Sequence, residues 1–409
     1  MGALTRWTRS KHLLIFLAAK MVAMVSVQIY TVLQSWLVLD LTGSTLALGT
    51  LLMMTTIPRA VLLPVGGVLA DRLHPRNLVI GTGYAFALLL VPVALLLRAG
   101  GLTLGHLALV ALGMGLVTAL YIPASTSILP DLVEAGFLQQ ANAANHVVLM
   151  LSFFLGPALA GGLITAAGTS TTVVVVAGAC ALCAAAAHLL PRRREAAERT
   201  EPSGAFRAFA EGLAVVWTNR VLQGCIALAA VLNLAVPGPL QVGLPALAAD
   251  RGMDPSGLGL LMASSGLGQI VGAVLGGAFG RNGRQVARIM ALGLVAGALW
   301  TAIGWIPHAV AVMAVLAGAG LWLGILNVVA ATAIQVYAPP HLLGRVLSLQ
   351  HLGIVGLQPV SFLVSGWVME PFGTPAVFQA SGVVLVLTAV VGTVLMAREH
   401  ERVEVRSAG

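Results

Sequence analysis

Charge is scarce in this chain. Asp, Glu, Lys and Arg make up 9% of its 409 residues, against 58% hydrophobic residues. A soluble globule of that length lacks the polar surface it needs at such a composition, so the soluble classes are excluded first. Lysine is rarer still: Lys11 and Lys20 are the two, and arginine supplies the rest of the 22 cations. The three cysteines are Cys180, Cys183 and Cys225. The C-x-x-C pair sits in an Ala/Val-rich run with no third or fourth ligand, which reads as packing and predicts neither a metal site nor a disulfide framework. No H-E-x-x-H, G-x-S-x-G or G-x-x-x-x-G-K-[ST] occurs, so no catalytic centre and no cofactor are expected. The 14 acids all fall in connections or at helix ends, with Asp40 and Glu370 at an outer rim.

Long apolar runs are what the chain does have. Twelve stretches can each cross a bilayer: 13–39, 41–69, 78–97, 102–129, 141–167, 172–190, 221–248, 257–279, 289–307, 309–338, 346–369 and 374–397. Each is at least about 19 residues, enough for a hydrocarbon core of about 30 Å. With the N-terminus inside, Lys20 and Arg59 lie within spans and Arg98 and Arg251 on the outer side, which leaves 18 of the 22 cations on the inner side. That asymmetry is the positive-inside pattern of a polytopic helical protein. The net charge of +8 follows from it; anionic headgroups suffice as counterparts, and no nucleic-acid partner is needed. In lipid each backbone polar group must be satisfied locally, and continuous rather than alternating runs favour helices over a barrel. Residues 1–12 look like a signal n-region through Arg6, Arg9 and Lys11, but span 13–39 is too long and no A-x-A site follows, so the first helix is read as uncleaved.

The expected fold is therefore an all-α membrane protein of 12 transmembrane helices in two pseudo-symmetric six-helix bundles, 1–190 and 221–397, with a linker at 191–220 and a tail at 398–409. Within the linker, Phe206, Phe209, Leu213 and Trp217 recur at helical spacing, predicting an amphipathic helix over 204–218 on the inner membrane surface. The halves echo each other. Pro130-Asp131 precedes a fifth span carrying Gly156-Pro157 and Gly161-Gly162; Pro339-Pro340 precedes an eleventh carrying Gln358-Pro359 and Gly366. Paired, proline-interrupted helices in two halves point to a transporter built from repeats.

The connection Gly67-Val68-Leu69-Ala70-Asp71-Arg72-Leu73-His74-Pro75-Arg76 resembles the major facilitator superfamily, whose loop between helices two and three reads G-x-L-a-D-R-x-G-R-[RK]. Gly67, Leu69, Asp71, Arg72 and Arg76 match, while His74-Pro75 replaces the usual Gly-Arg. Asp71 stands at a helix C-terminus, where the macrodipole disfavours an anion by about 0.3–1 kcal/mol. The resemblance implies a cytoplasmic latch of Asp71, Arg72 and Arg345 at the start of helix eleven; the alternative is a solvated cap. Gly156-Pro157-Ala158-Leu159-Ala160-Gly161-Gly162 resembles the family's antiporter signature. Small-residue ridges at Ser152, Gly156 and Ala160 and at Gly268, Gly272 and Gly276 permit close helix contact; in the family, helices five and eight meet. Trp36-Leu37-Val38-Leu39-Asp40, Leu129-Pro130-Asp131 and Gly344-Arg345-Val346 are similar to exporters akin to siderophore and macrolide efflux proteins of the transmembrane secretion effector type.

Ionisable groups within a bilayer cost roughly 2.5–3.5 kcal/mol on insertion scales, so each is a candidate. Arg59, about ten residues from the inner end of span two and beside Pro58, binds an anionic group, repels cations, or bonds the carbonyls that Pro58 frees. Lys20, about seven residues into span one, is within snorkelling reach of the surface. With no mid-span carboxylate, His146 and His351 are the titratable candidates for carrying protons. The resemblance implies a central cavity lined by helices one, four, seven and ten, and Gln28, Tyr30, Gln34, Tyr121, Asn233, Trp322 and Asn327 are the polar or aromatic residues placed to line it. Amides and aromatics in an apolar setting suit a bulky, largely uncharged amphiphile. The expectation is a monomeric, proton-coupled exporter of a hydrophobic small molecule in a bacterial plasma membrane, both termini inside. A lipid or lysophospholipid translocase is the nearest alternative, then a membrane-embedded enzyme or receptor.

Overall fold

The computed structural model describes residues 11–72, 74–191, 213–214, 216–278, 283–339 and 342–408. They are helical almost throughout, with no strand among them. We label the helices α1 (Lys11–Thr42), α2 (Thr45–Arg72), α3 (Pro75–Ala99), α4 (Leu104–Ser127), α5 (Leu138–Ala187), α6 (Arg220–Ala235), α7 (Leu244–Asp250), α8 (Pro255–Ala278), α9 (Gly283–Ala302), α10 (Ala309–Tyr337), α11 (Leu343–Phe372) and α12 (Thr374–Ala408). Among the described residues, nine stretches are long and apolar enough to cross a membrane, and the longest, Leu138–Ala187, holds the fifth and sixth spans together.

The boundaries have local causes. At the end of α1, Gly43 takes φ 62° and its N–H donates to the Leu39 carbonyl at 2.8 Å. Ser44 then caps α2, its Oγ accepting from the Ala47 N–H at 3.1 Å. Thr103 and His106 form a reciprocal capping box at the head of α4. Inside α5 the chain breaks at Gly168 (φ 79°, ψ 165°), in the gap between the fifth and sixth spans. The seventh span departs from a straight helix. Pro237 and Pro239 remove two donors, and α6 passes into α7 through a π-helical turn at Pro239–Gly243. There the Gly238 N–H donates instead to Ser361 Oγ of α11, at 2.9 Å.

Two compact units result, Met1–Thr200 with Ala248–Ala263, and Glu201–Leu247 with Ser264–Gly409. In the first, α1 packs along α5, α2 on α4, and α3 on α5, where Gly83 admits Ala184. In the second, α6 packs on α11, α8 on α10, and α9 on α12. Allowing for the merged fifth and sixth spans, these are the same pairings shifted by six spans, which is the internal repeat made visible. The α8–α10 seam is reciprocal: Gly268 and Gly272 face the backbone at Ala317 and Leu321, while Gly320 and Gly324 face the backbone at Ser265 and Gln269. Between α9 and α12, the fully buried Trp300 donates from Nε1 to Ser381 Oγ at 2.9 Å and meets Phe378 edge-on.

Outward faces are apolar. Leu88, Leu109, Leu182, Val274 and Val310 are each at least 69% exposed, a distribution suited to lipid rather than water. Of the expected linker helix, residues 204–212 and 215 lie outside the described residues. Val216 is buried with Leu222, Ile334, Ala338 and Val346, whereas Trp217 is exposed. The last helix continues to Ala408 through the stretch expected as a tail.

Candidate functional site

Phe16, Lys20, Ala23, Met24 and Val27 share one face of α1, and that face forms a wall of a cavity of about 50 Å³ inside the first unit. Opposite stand Thr82 and Phe86 of α3, Thr118 and Tyr121 of α4, and Cys180 and Cys183 of the second arm of α5. Lys20 does not snorkel to a surface. It is 6% exposed, and its Nζ donates to Ser125 Oγ of α4 at 3.0 Å. Ser125 Oγ in turn donates to the Ile122 carbonyl at 3.0 Å, so its lone pairs are directed at the amine. The Phe16 ring lies 5.7 Å from Nζ. Among the described residues, no carboxylate lines this cavity. The inward turn has a structural reason: Ser125 offers an acceptor at the depth of Lys20.

The residues expected to line a pathway are only partly brought together. Tyr121 shares the Lys20 cavity. Tyr30 is buried, edge-on to Phe86 at 6.2 Å, and its hydroxyl has no partner. Gln34, one turn further along α1, is 2% exposed and its Nε2 is likewise unpartnered. Gln28 sits where α1 passes Gly156. Arg59 is half-buried on α2 next to Pro58, which packs on Gly115 of α4, and its Nε is unpartnered. In the second unit, Asn233 bonds its amide back to the Ala229 carbonyl at 2.8 Å. Trp322 is buried with its ring over Gly293 of α9, and Asn327 is exposed.

Of the expected proton carriers, His146 is exposed, and the His351 side chain lies outside the described ones. The side chains of Asp71, Arg72 and Arg345 and the surroundings of Gly67 also lie outside the described ones. Arg76 is described: its Nη2 donates to the His188 carbonyl at 2.5 Å, tying the start of α3 to the end of α5. A cation at a helix C-terminus is favoured by the exposed carbonyls there.

The glycines of the fifth span divide their work. Gly156 faces Gln28 of α1. Gly161 faces Pro255, Ser256 and Gly259 at the start of α8, and the Pro157 carbonyl faces Gly259. Gly162 faces open space. The ridge Gly268, Gly272 and Gly276 turns to α10 rather than to α5.

Over residues 7–408 the sequence matches the family described as transmembrane secretion effector, a branch of the major facilitators. The chain belongs to that family. It is 27% identical over 402 residues to the multidrug efflux pump Tap of Mycolicibacterium fortuitum, covering 95% of this chain and 96% of that one. It is 24% identical over 358 residues to macrolide efflux protein A of Streptococcus pyogenes, covering 86% and 87%. The fold is that of a bacterial homolog to the human lysosomal transporter Spinster, inward-facing and occupied, with a TM-score of 0.73, 17% identity and 95% and 97% coverage. A bacterial homologue of the iron transporter ferroportin gives 0.71 at 15% identity, with 94% and 98% coverage. The chain is thus a multi-pass secondary transporter with a small-molecule substrate and a membrane setting.

Two features of this family member escaped sequence reasoning. Gly259 was hidden because nothing in G-L-G-L-L distinguishes a contact glycine from a lipid-facing one. The inward turn of Lys20 had a signal, its place four residues after Phe16 on the face that continues through Met24 and Val27, but its acceptor Ser125 is 105 residues away.

Proposed function

We propose that this transporter exports a hydrophobic or amphiphilic small molecule from the cytoplasm by alternating access, in exchange for protons. In this reading it works as a monomer in the plasma membrane, with both termini inside. The similarity to a multidrug efflux pump over nearly the whole of both chains carries the reading. The site chemistry agrees with it. Tyr30 and Gln34 hold a hydroxyl and an amide without partners on consecutive turns of α1, which suits a cargo recognised by few hydrogen bonds and much apolar contact. Arg59 is a fixed charge, since guanidinium does not deprotonate in proteins. It acts against cationic cargo or for a cargo with an anionic edge.

The test is efflux of a compound panel, macrolides included, from cells expressing the wild type or Arg59→Ala. Wild-type cells should hold less of at least one lipophilic compound than vector controls, and Arg59→Ala should change the ranking of compounds. Equal retention of every compound by wild-type and control cells would defeat the efflux reading. A second arm in liposomes compares a labelled macrolide with a labelled lysophospholipid; movement of the lipid alone would make this a lipid translocase.

A further inference from the structure

We infer that Lys20 is the protonation site of the transport cycle, its amine alternating between the charged and neutral forms. The inference rests on the exchange-for-protons reading above and names the group that carries the proton.

Several independent features of the first unit converge on it. Within the spans the chain has the cations Arg59 and Lys20 and the histidines His146 and His351, but no mid-span carboxylate; His146 is exposed rather than enclosed. An arginine in such a place keeps its charge, whereas a buried lysine loses its proton readily because the low-dielectric surroundings penalise the ammonium. Lys20 is buried and makes one hydrogen bond, to Ser125. An ammonium has three N–H groups to satisfy, and a neutral amine donating once to Ser125 Oγ leaves its lone pair toward the cavity.

Among the described residues, the groups facing the amine supply no counter-charge. From α4 come Tyr121 and Ser125, from the second arm of α5 Cys180 and Cys183, from α1 itself Phe16, and from α3 no titratable group. Phenol and thiol are neutral at pH 7. The Thr118 and Thr82 hydroxyls are already bonded to the carbonyls of Met114 and Leu78. The cavity of about 50 Å³ is too small for an amphiphilic drug, but a water needs only about 10–15 Å³, so there is room for a few beside the amine. Its wetting decides the charge: hydrated, Lys20 holds its proton; dry, it sheds it. The step is R–NH₃⁺ + H₂O → R–NH₂ + H₃O⁺, the N–H electron pair staying on nitrogen and the proton leaving with the water as the cavity dries. Arg59 cannot replace it, because a fixed cation carries no proton across.

The rarity of lysine makes the test direct. The chain has two lysines, Lys11 and Lys20, so protein carrying ¹⁵N-lysine gives two side-chain signals, and Lys20→Met removes and thereby assigns one. The Lys20 signal should lose its proton well below the ordinary lysine value of about 10.4, and well below Lys11. A Lys20 amine that stays charged to about that value overturns the inference. This readout needs no cargo.

The second arm uses protein in liposomes with a radiolabelled macrolide as probe. Lys20→Met should keep exchange of labelled for unlabelled macrolide within about twofold of wild type, while accumulation driven by a pH gradient falls by about tenfold or more. Lys20→Arg, permanently charged, should also lose driven accumulation. Undiminished pH-driven accumulation by Lys20→Met overturns the inference. If the wild type exchanges no macrolide, that cargo is wrong, and the lysine titration still decides the role of Lys20.

Discussion

Gly161 and Gly162 are neighbours in one motif, and the structure assigns them opposite tolerances. A Cβ on Gly161 would lie 2.8 Å from Ser256 Cα and 3.2 Å from Gly259 Cα, with the Pro255 carbonyl nearer still. All three obstacles are backbone, so no rotamer change relieves them and α5 must move off the start of α8. Overpacking of this kind costs about 1–3 kcal/mol. A Cβ on Gly162 meets nothing within 4 Å, and replacing a mid-helix glycine by alanine is worth about 0.5–1 kcal/mol in the other direction. Thermal unfolding of the two purified single alanine variants in detergent should therefore straddle the wild type, Gly161→Ala melting several degrees lower and Gly162→Ala equal or higher. Transport should fall in the first and persist in the second. Equal melting and transport for the two variants would refute the reasoning, because it would mean that α5 and α8 do not touch where the structure places them.

Trp300→Phe removes the Nε1 donor to Ser381 and part of a ring that is fully buried; a loss of about 1–3 kcal/mol is expected in the same melting assay, against about 3–5 for Trp300→Ala. Asp254 accepts from Ser256 Oγ at 2.6 Å and from the Gly257 N–H at 3.0 Å, which holds its carboxylate below the usual 3.8. Since the folded value is depressed, the cap it gives α8 is present at neutral pH and is lost as pH falls below about 4. Asp254→Asn should keep most of the cap and remove that acid sensitivity, and Asp254→Ala should lose the cap at every pH. If Asp71 is part of a latch, Asp71→Asn should leave expression intact and lower transport about tenfold; unchanged transport would leave it as a solvated cap.

The fold was legible because the bilayer imposes a coarse code. A run of apolar residues between charged or glycine-bearing connections admits one conformation in lipid, and all twelve runs have helical counterparts. Helix ends were legible where one residue type decides them, as at Gly43, Gly100 and Gly168, each with positive φ. One departure was not. The π turn at Pro239–Gly243 depends on Ser361, a residue 123 positions after Gly238 that supplies the acceptor for its orphaned donor. Long-range partners leave no local trace.

The site was less legible for the same reason in sharper form. A cation in a span announces itself by its cost, but whether it reaches outward or inward depends on which offers the nearer acceptor. Lys20 has a flexible four-carbon stem that serves either outcome; the hydroxyl of Ser125 at 3.0 Å decides for the interior. Glycine ridges are ambiguous in a parallel way. Gly268 and Gly272 look in sequence like Gly156 and Gly161, yet the first pair stitches α8 to α10 within one unit while Gly161 meets Gly259 across α5 and α8. Small size permits close approach without specifying to what. What distinguishes the two classes is the far side of the contact. Where glycines interleave from both helices, as at Gly268, Gly320, Gly272 and Gly324, separation must break four close contacts together, so that seam is the rigid one. At Gly161 the close approach is to Pro255, Ser256 and Gly259, with the Pro157 carbonyl against Gly259 in return, so it is confined to the first turn of α8.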